Sequence, residues 1–194
     1  MVESKNIKLS ILIPTLPKRK AFLDDLLFNL HDQIGSHKQR EQIEILISAD
    51  ENESIGAKRN LLLSIAEGEY TCFIDDDDEI DKDYIKTIMQ GISKNPDCIS
   101  LRGILSIDGK IDGTFEHSIK YNAYRTVYVN QIKYERYPNH LNTIKASIAK
   151  QFKFKEINHG EDTDWATQIY KSKLLKNEYY TDKILYYYKY RSKK

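Results

Sequence analysis

The chain has 194 residues, and its 30 lysine and arginine residues nearly balance 29 aspartate and glutamate residues, for a net charge of +1. Its length predicts a single domain over residues 1–194, and 40% hydrophobic with 30% charged residues is typical of a soluble globular protein. No apolar run approaches the roughly 20 residues that cross a bilayer. The N-terminus does not resemble a signal peptide, and two cysteines are too few for a disulfide framework. We therefore expect a cytoplasmic protein without stable membrane insertion, in which Cys72 and Cys98 are buried free thiols.

Strand and helix patterns alternate in the first half of the chain. Short apolar runs predict strands at 7–13, 42–48 and 70–74. Apolar residues at helical spacing predict helices at 18–34, at 55–67 with Gly68 as C-cap, and at 81–93 with Asp81 as N-cap. This order implies right-handed βαβ units and a mostly parallel central sheet.

The second half has a different pattern. Strands are predicted at 98–105 and 183–191, with a tyrosine- and valine-rich strand region at 121–134. Asp108-Gly109 and Asp112-Gly113 indicate tight turns. Helices are predicted at 143–151 and 161–173. We expect this half to form antiparallel edges and one wall of a cleft.

The charges are unevenly distributed along the chain. Residues 50–83 contain 12 acidic and 3 basic residues, whereas residues 118–155 contain 8 basic and 1 acidic residue. Such a distribution suits a site that holds a divalent cation and an anionic ligand together. Charge alone also allows a set of solvated faces.

Four consecutive aspartates, at positions 75–78, follow the predicted strand 70–74 directly. Carboxylates this close repel one another, and a hard divalent ion can compensate that repulsion. Alternate residues at a strand end point to the same side, so Asp75 and Asp77 can converge on one ion. The alternative is a solvated acidic turn in which Asp78 or Asp81 caps the next helix.

Five short segments of the chain carry a recognisable pattern: Ser10–Thr15 (SILIPT), Ile55–Asn60 (IGAKRN), Gly68–Asp81 (GEYTCFIDDDDEID), Gly160–Trp165 (GEDTDW) and Leu185–Tyr188 (LYYY). In this order they resemble family 2 glycosyltransferases of the GT-A fold. Together they cover about residues 8–190. The resemblance implies an α/β, GT-A-like (Rossmann-like) sandwich with a mostly parallel central sheet and a small antiparallel acceptor-side region. Residues 1–95 would bind the nucleotide sugar, and residues 96–194 would hold the acceptor and the catalytic base.

The resemblance also implies a set of donor-binding residues. Pro14 and Thr15 would line the nucleoside pocket, and Asp50 would contact the base or the ribose. Lys58 and Arg59 would lie near the donor, although a surface position on a helix is an alternative for Lys58.

The aspartate run would supply the metal site of the family. Asp75 and Asp77 correspond to the Asp-any-Asp pair that holds Mn²⁺ or Mg²⁺ on the diphosphate, with Asp77 as the more direct ligand. Asp76 is assigned to the donor site, although the family often has a small residue there.

Catalysis is assigned by resemblance to Asp162, as the general base that deprotonates the acceptor hydroxyl. Glu161 and Asp164 compete for this role, and ordinary N-terminal helix charge is the alternative for Glu161 and Asp162. The implied reaction is an inverting, hexosyltransferase-type single displacement. The metal would act as a Lewis acid on the leaving diphosphate.

Three further residues have open roles. Trp165 either stacks on an acceptor sugar or fills the core, and the core is favoured. His140 lies in a polar loop, where a structural role is favoured over contact with the diphosphate or metal. His159 could neighbour the base without taking part in catalysis.

The predicted function is metal-dependent transfer from a nucleoside diphosphate sugar, with UDP favoured, to an acceptor hydroxyl on a glycan, a small molecule or modified DNA. One alternative is a degenerate nucleotide-sugar- or carbohydrate-binding module without activity. Another is a glycosyltransferase that acts on modified DNA bases. A nucleotidyltransferase is disfavoured because the loop Pro14–Pro17 after the first strand contains no glycine.

Overall fold

The structure is a computed structural model that describes residues 6–129 and 132–192, in which twelve β-strands and five α-helices are formed. The strands are β1 (Leu9–Pro14), β2 (Ile43–Ser48), β3 (Tyr70–Phe73), β4 (Glu79–Ile80), β5 (Cys98–Ile99), β6 (Leu101–Ile107), β7 (Lys110–His117), β8 (Arg125–Val129), β9 (Ile132–Arg136), β10 (Ile144–Lys145), β11 (Glu178–Tyr179) and β12 (Ile184–Tyr190). The helices are α1 (Lys20–Ser36), α2 (Ile55–Ile65), α3 (Tyr84–Ile92), α4 (Ala146–Ala149) and α5 (Glu161–Ser172).

The first sheet is built around β1. Its strand order is β11-β5-β10-β3-β1-β2, with β1 parallel to both β2 and β3 and only β10 antiparallel to its neighbours. All six residues of β1 are buried, as expected for a parallel strand that is covered on both faces. The predicted mostly parallel central sheet is therefore confirmed.

The two faces of this sheet carry two layers of core. Ile11 and Ile13 of β1 pack with α1 and α3, whereas Leu12 points to the other face and packs with α2 and α5. This division follows from the alternation of side chains along a strand. Trp165 belongs to the second layer, where its ring stacks on Phe154 at 4.7 Å, which confirms its predicted place in the core.

A second sheet, with the order β4-β12-β6-β7-β9-β8, is larger than the small antiparallel region that the resemblance implies. Strands β6 and β7 form a hairpin through Asp108 and Gly109, both at positive φ, as the Asp-Gly signal predicts. Strands β12 and β6 are parallel, as are β7 and β9. The fold class, an α/β sandwich, is confirmed.

Several element predictions need correction. Asp112-Gly113 is not a turn but part of β7. Helix α2 ends at Ile65, and Gly68 is not its cap: a Cβ on Gly68 would lie 2.6 Å from the backbone nitrogen of Ser10, so a close approach to β1 requires glycine there.

Other boundaries move because pairing across the fold overrides local propensity. Helix α3 begins at Tyr84 with Asp83 as N-cap, while the Asp81 carboxylate accepts the Asp83 backbone N–H. The predicted helix 143–151 keeps four helical residues, because Ile144 pairs with β3 and β5. Residues 130 and 131 of the predicted region 121–134 lie outside the described residues. Both cysteines are buried and free, as predicted. None of the described helices combines the length and the apolar character that a membrane crossing needs.

Candidate active site

Two cavities adjoin one another at the carboxyl ends of β1 and β3. The first, here called the Asp77 cavity, has a volume of about 550 Å³ and is lined by Pro14, Thr15 and Asp77 among others. The second, the Asp162 cavity, has a volume of about 450 Å³ and contains Asp162 in its wall. The two cavities share five lining residues: Arg59, Asp75, Asn158, His159 and Glu161. The edge where they meet follows strand ends, where parallel sheets bind ligands.

Arg59 holds this shared edge together. From α2 its guanidinium donates to Glu161 Oε1 at 2.6 Å and to Asp75 Oδ1 at 2.9 Å. The arginine side chain is 4% exposed, and Glu161 is also buried. A buried arginine that pairs two carboxylates fixes the end of β3 relative to the start of α5.

Helix α2 also contacts the loop that precedes α5. Asn60 donates to the backbone carbonyl of Phe154 and accepts its backbone N–H, both at 2.9 Å. A Cβ on Gly56 would lie 1.8 Å from the carbonyl oxygen of Lys155, so only glycine permits this approach. The Gly-any-Ala-any-Arg-Asn segment therefore positions the loop that leads into α5 as well as Arg59.

The alternative interpretation of Lys58, a surface position on a helix, is wrong because this residue is buried. Its ammonium group donates to the backbone carbonyl of Thr15 at 2.7 Å, and the residue is 2% exposed. Burial lowers the pKa of Lys58, while the negative charges of Asp50 and Asp76 act in the opposite direction. Lys58 thus fixes the end of β1 from beneath the Asp77 cavity.

Asp76 is buried at the wall of the Asp77 cavity. The hydroxyl of Thr15 donates to Asp76, and Arg19 approaches its other oxygen at 2.6 Å. Burial raises the pKa of Asp76, although Thr15 and Arg19 oppose this shift. This carboxylate links the end of β1 to the aspartate run.

Asp77 is a quarter exposed and contacts two arginines. Arg19 lies 2.6 Å from one carboxylate oxygen and Arg191 lies 2.9 Å from the other. The Arg191 guanidinium also stacks over the ring of Phe22 at 4.5 Å. In this arrangement the negative charge of Asp77 is balanced by residues from the two ends of the chain.

Asp78 serves the fold rather than the cavities. Its carboxylate accepts the Tyr186 hydroxyl and the backbone N–H of Lys189, both at 2.8 Å, and so joins the run to β12. Burial, and then the nearby charge of Asp75, raise the pKa of Asp78 well above its usual value. Asp78 is therefore not a helix cap, which corrects one alternative for the run.

Asp75 faces both cavities from the end of β3. Burial favours its neutral form, but the Arg59 guanidinium and then His140 outweigh burial and hold the pKa of Asp75 well below its usual range. His140 is buried in the loop before β10, with Nε2 3.6 Å from Asp75 and Nδ1 3.9 Å from Asp162. His140 thus lies between the two acidic groups, a position that the sequence left open.

Asp162 occupies the first turn of α5, after Gly160 at φ 82°. Its side chain is 36% exposed and lines the Asp162 cavity. Its neighbours are less available: Glu161 is bound to Arg59, and Asp164 pairs with Lys155 at 2.6 Å, which lowers the pKa of Asp164. The helix start therefore directs one accessible carboxylate into the cavity.

Asp50 is placed differently from the other predicted donor residues. It is exposed, does not line the Asp77 cavity, and accepts the backbone N–H of Asn52 at 2.9 Å. Glu51 and Glu53 line the cavity from the same loop. His159 is an exposed neighbour of the shared edge.

The carboxylates of the site fit a divalent cation only in part. In the described part of the chain, no three His, Cys, Asp or Glu side chains are grouped as a metal cage. Asp75 and Asp77 nevertheless line one cavity, and both are about a quarter exposed. One or two carboxylates completed by substrate phosphates is the usual Mg²⁺ arrangement. The donor set therefore fits an ion that arrives with a phosphorylated ligand.

The wall of the Asp162 cavity contains residues that the sequence did not single out, notably Tyr124 and Arg136. Arg19, on the other cavity, was also missed. Strand alternation places Tyr134 and Arg136 of β9 on one face, but nothing local shows that this face borders a cavity.

Comparison with known proteins identifies related sequences and folds. A family model described as glycosyl transferase family 2 matches residues 29–158. The crystal structure of S. aureus TarS 1-349 has a TM-score of 0.64 and 18% identity over 94% of this chain and 60% of that chain. The complex of TarS 1-349 with UDP-GlcNAc has a TM-score of 0.62 and 17% identity over 97% of this chain and 60% of that chain.

A search among curated proteins gives no match. The chain spans 60% of the length of TarS 1-349. At 17–18% identity, the likeness to TarS shows a shared fold.

Proposed function

Because the chain belongs to glycosyl transferase family 2, we propose that it transfers a sugar from a nucleoside diphosphate sugar, with a UDP-sugar favoured, to an acceptor hydroxyl. The observation that carries the proposal is the meeting of two cavities at Arg59, Asp75 and Glu161. A transferase needs two such compartments, because donor and acceptor must meet in one orientation. The solved complex of TarS 1-349 with UDP-GlcNAc, which has a similar fold, supports the choice of donor.

The Asp77 cavity is assigned to the donor. Its walls come from the residue range 1–95 apart from the shared edge near α5, which agrees with a donor-binding half and an acceptor half at 96–194. Pro14 and Thr15 would border the nucleoside. Asp50 would reach the base or ribose only from the rim, since it lies outside the cavity.

The cofactor in this proposal is Mn²⁺ or Mg²⁺, held by Asp77 with Asp75 beside it. Such a cation, when bound, neutralises charge on the leaving diphosphate. Asp77 would then exchange part of its contact with Arg19 and Arg191 for the cation. The two arginines would supply positive charge for the diphosphate.

The base in this proposal is Asp162. It is the accessible carboxylate of the Asp162 cavity, whereas Glu161 is neutralised by Arg59 and acts as a positioning residue. A base on the acceptor side deprotonates the attacking hydroxyl, while the nucleotide leaves from the opposite face of the sugar. This arrangement corresponds to a single displacement with inversion, of the hexosyltransferase type. The cytoplasmic location stays a prediction from the sequence.

The donor site is tested by thermal unfolding with UDP, GDP or CDP in the presence of Mn²⁺, Mg²⁺ or EDTA. A ligand at 100 times its Kd adds about 2.7 kcal/mol, which corresponds to about 5–10 °C for a chain of this size. We expect UDP with metal to give the largest shift. The metal-dependent part should vanish in Asp77→Asn and persist in the matched variant Glu79→Gln, whose carboxylate is exposed and bound to Lys189.

Three outcomes would change the proposal. Absence of a shift with every nucleotide and metal would overturn the donor site. An equal shift in EDTA would overturn the metal dependence alone. Nucleotide binding without release of UDP from UDP-GlcNAc, across glycan and modified-DNA acceptors, would indicate a binding module instead of an enzyme.

A further inference from the structure

The wall of the Asp162 cavity opposite the shared edge is aromatic and basic. Tyr124, Tyr134 and Arg136 all line this cavity. The Arg136 guanidinium stacks over the ring of Tyr124 at 4.5 Å and over that of Tyr134 at 5.5 Å. Two rings therefore hold the cation in one place at the cavity wall.

Arg136 differs from the arginines of the shared edge and the Asp77 cavity. Arg19, Arg59 and Arg191 each contact a carboxylate at 2.9 Å or less. For Arg136, the described residues supply only a contact of 3.4 Å to the backbone carbonyl of Glu135, and no carboxylate at ion-pair distance. A guanidinium stacked on aromatic rings keeps its edge of N–H donors available, and this edge matches a carboxylate or a phosphate.

The positive charge of Arg136 and the proposed base line the same cavity. Burial raises the pKa of the Tyr124 hydroxyl, the negative charge of Asp162 adds to this shift, and the positive charge of Arg136 opposes it. Tyr124, Arg136 and Asp162 all line the Asp162 cavity. An acceptor bound in this cavity would have its hydroxyl at the carboxylate of Asp162 and a second substituent at the guanidinium of Arg136.

The neighbouring histidine does not share the role of Arg136. Burial, and then the charge of Arg136, lower the pKa of His117 to about 3. His117 is therefore neutral at physiological pH. Arg136 is the permanent positive charge on this wall.

We infer that the acceptor carries an anionic group, a carboxylate or a phosphate, which Arg136 binds while Asp162 faces the reacting hydroxyl. This inference rests on the proposed function, because it takes the Asp162 cavity as the acceptor site. Arg136 is a specificity-determining residue: it orients the acceptor and takes no part in bond making.

The test is a binding titration of the full chain without a donor. The probes are glucose 6-phosphate, glucuronate and uncharged glucose, and the signals followed are the arginine Nε–H resonances in ¹H–¹⁵N NMR spectra. We expect at least one anionic sugar to bind about 10-fold more tightly than glucose and to shift the Arg136 resonance. The first two probes distinguish a phosphate from a carboxylate as the group recognised.

Substitutions test whether Arg136 itself, and not positive charge anywhere on this part of the protein, binds the anion. Arg136→Gln should remove the preference for the anionic sugar, and Arg136→Lys should retain part of it. The matched control is Arg125→Gln on the adjacent strand β8, because Arg125 is exposed and contacts Asn122. Its removal should leave the binding unchanged.

Equal binding of glucose and both anions, or an unchanged preference in Arg136→Gln, would overturn the inference. Competition between the anionic sugar and UDP would also overturn it, since the anion would then occupy the donor site. UDP binding is measured on the same samples. In the wild type, absence of UDP binding alone therefore counts against the proposed function, and absence of the preference for an anionic sugar alone counts against the role of Arg136.

Discussion

In the Asp77 cavity, arginines of the same chain neutralise the aspartate run. In the Asp162 cavity, two groups of opposite charge, Asp162 and Arg136, face open space. Arg19 and Arg191 contact Asp77, and Arg59 contacts Asp75. Across the shared edge, Asp162 has His140 at 3.9 Å, and among the described residues Arg136 contacts only aromatic faces and, at a longer distance, one carbonyl.

This difference separates two ways of preparing a site. Internal ion pairs fix the geometry of the Asp77 cavity before any ligand arrives, and removal of one partner leaves a buried charge uncompensated. In the Asp162 cavity the unpaired groups are available to a ligand. Substitutions in the Asp77 cavity should therefore change mainly the stability of the fold. Substitutions in the Asp162 cavity should change mainly catalysis and ligand recognition.

The largest expected effect is that of Asp162→Asn on turnover. Loss of a general base reduces kcat by about 10²- to 10⁴-fold, or about 3 to 5 kcal/mol. UDP binding should be unchanged, because Asp162 does not line the Asp77 cavity. Release of UDP from UDP-GlcNAc in the presence of an acceptor measures the rate, and thermal unfolding with UDP measures donor binding.

Asp164→Asn is the matched control for this variant. It removes a carboxylate from the same helical turn, but one that pairs with Lys155 and lies outside both cavities. Turnover should stay within a few-fold of the wild type. Equal losses in the two variants would show that helix charge, and not base catalysis, explains the effect of Asp162.

The second prediction compares one arginine from the shared edge with one from the Asp162 cavity. Arg59→Gln leaves Asp75 and Glu161 uncompensated and should lower the free energy of unfolding by at least about 3 kcal/mol. Arg136→Gln should lower it by less than about 1 kcal/mol, because no carboxylate among the described residues forms an ion pair with Arg136. Urea unfolding of both variants at pH 7 is the measurement. Similar losses would contradict the distinction between an arginine that holds two carboxylates and one that is available to a ligand.

The sequence predicts those parts of the molecule that local pattern determines. The apolar runs of β1, β2 and β3 were identified within two residues of their bounds. Strands β1 and β3 are buried on both faces, whereas β2, at the edge of the sheet, is only partly buried. Asp75 and Asp77 line one cavity, but Asp76 between them lines it as well. Since β3 ends at Phe73, the turn after the strand places these residues, and their convergence on one ion stays a prediction. Asp162 is accessible at the start of its helix, as the Glu-Asp segment suggests.

The rest depends on contacts between distant parts of the chain. Strands β4, β10 and β11 have two residues each and exist only through their neighbours. Asn60 binds Phe154 across 94 positions, so its role cannot be inferred from the segment in which it lies. The same holds for Arg136, whose unpaired state depends on what the second sheet places around it.

The smallest expected effect concerns pH and the neutral histidine of the Asp162 cavity. His117 is buried, with Nδ1 3.2 Å from Asn142 Oδ1 and its ring 4.8 Å from that of Phe115. The charged or titratable groups that act on it are Arg136 and His140, and its pKa is lowered to about 3. Below about pH 6.5 the unfolded chain therefore binds a proton that the folded chain does not.

The free energy of unfolding should consequently decrease as the pH is lowered from about 6.5 to 3. His117 contributes at most about 1.4 kcal/mol per pH unit to this decrease. His117→Gln retains an amide near Asn142 but has no group that titrates. We expect the unfolding free energy of the wild type, relative to that of His117→Gln, to decrease by about 2 kcal/mol between pH 8 and pH 5. Subtracting the unfolding free energy of His117→Gln from that of the wild type cancels the contributions of the other titrating groups. If this difference stayed constant over the pH range, His117 would take up a proton in the folded state as readily as in the unfolded chain.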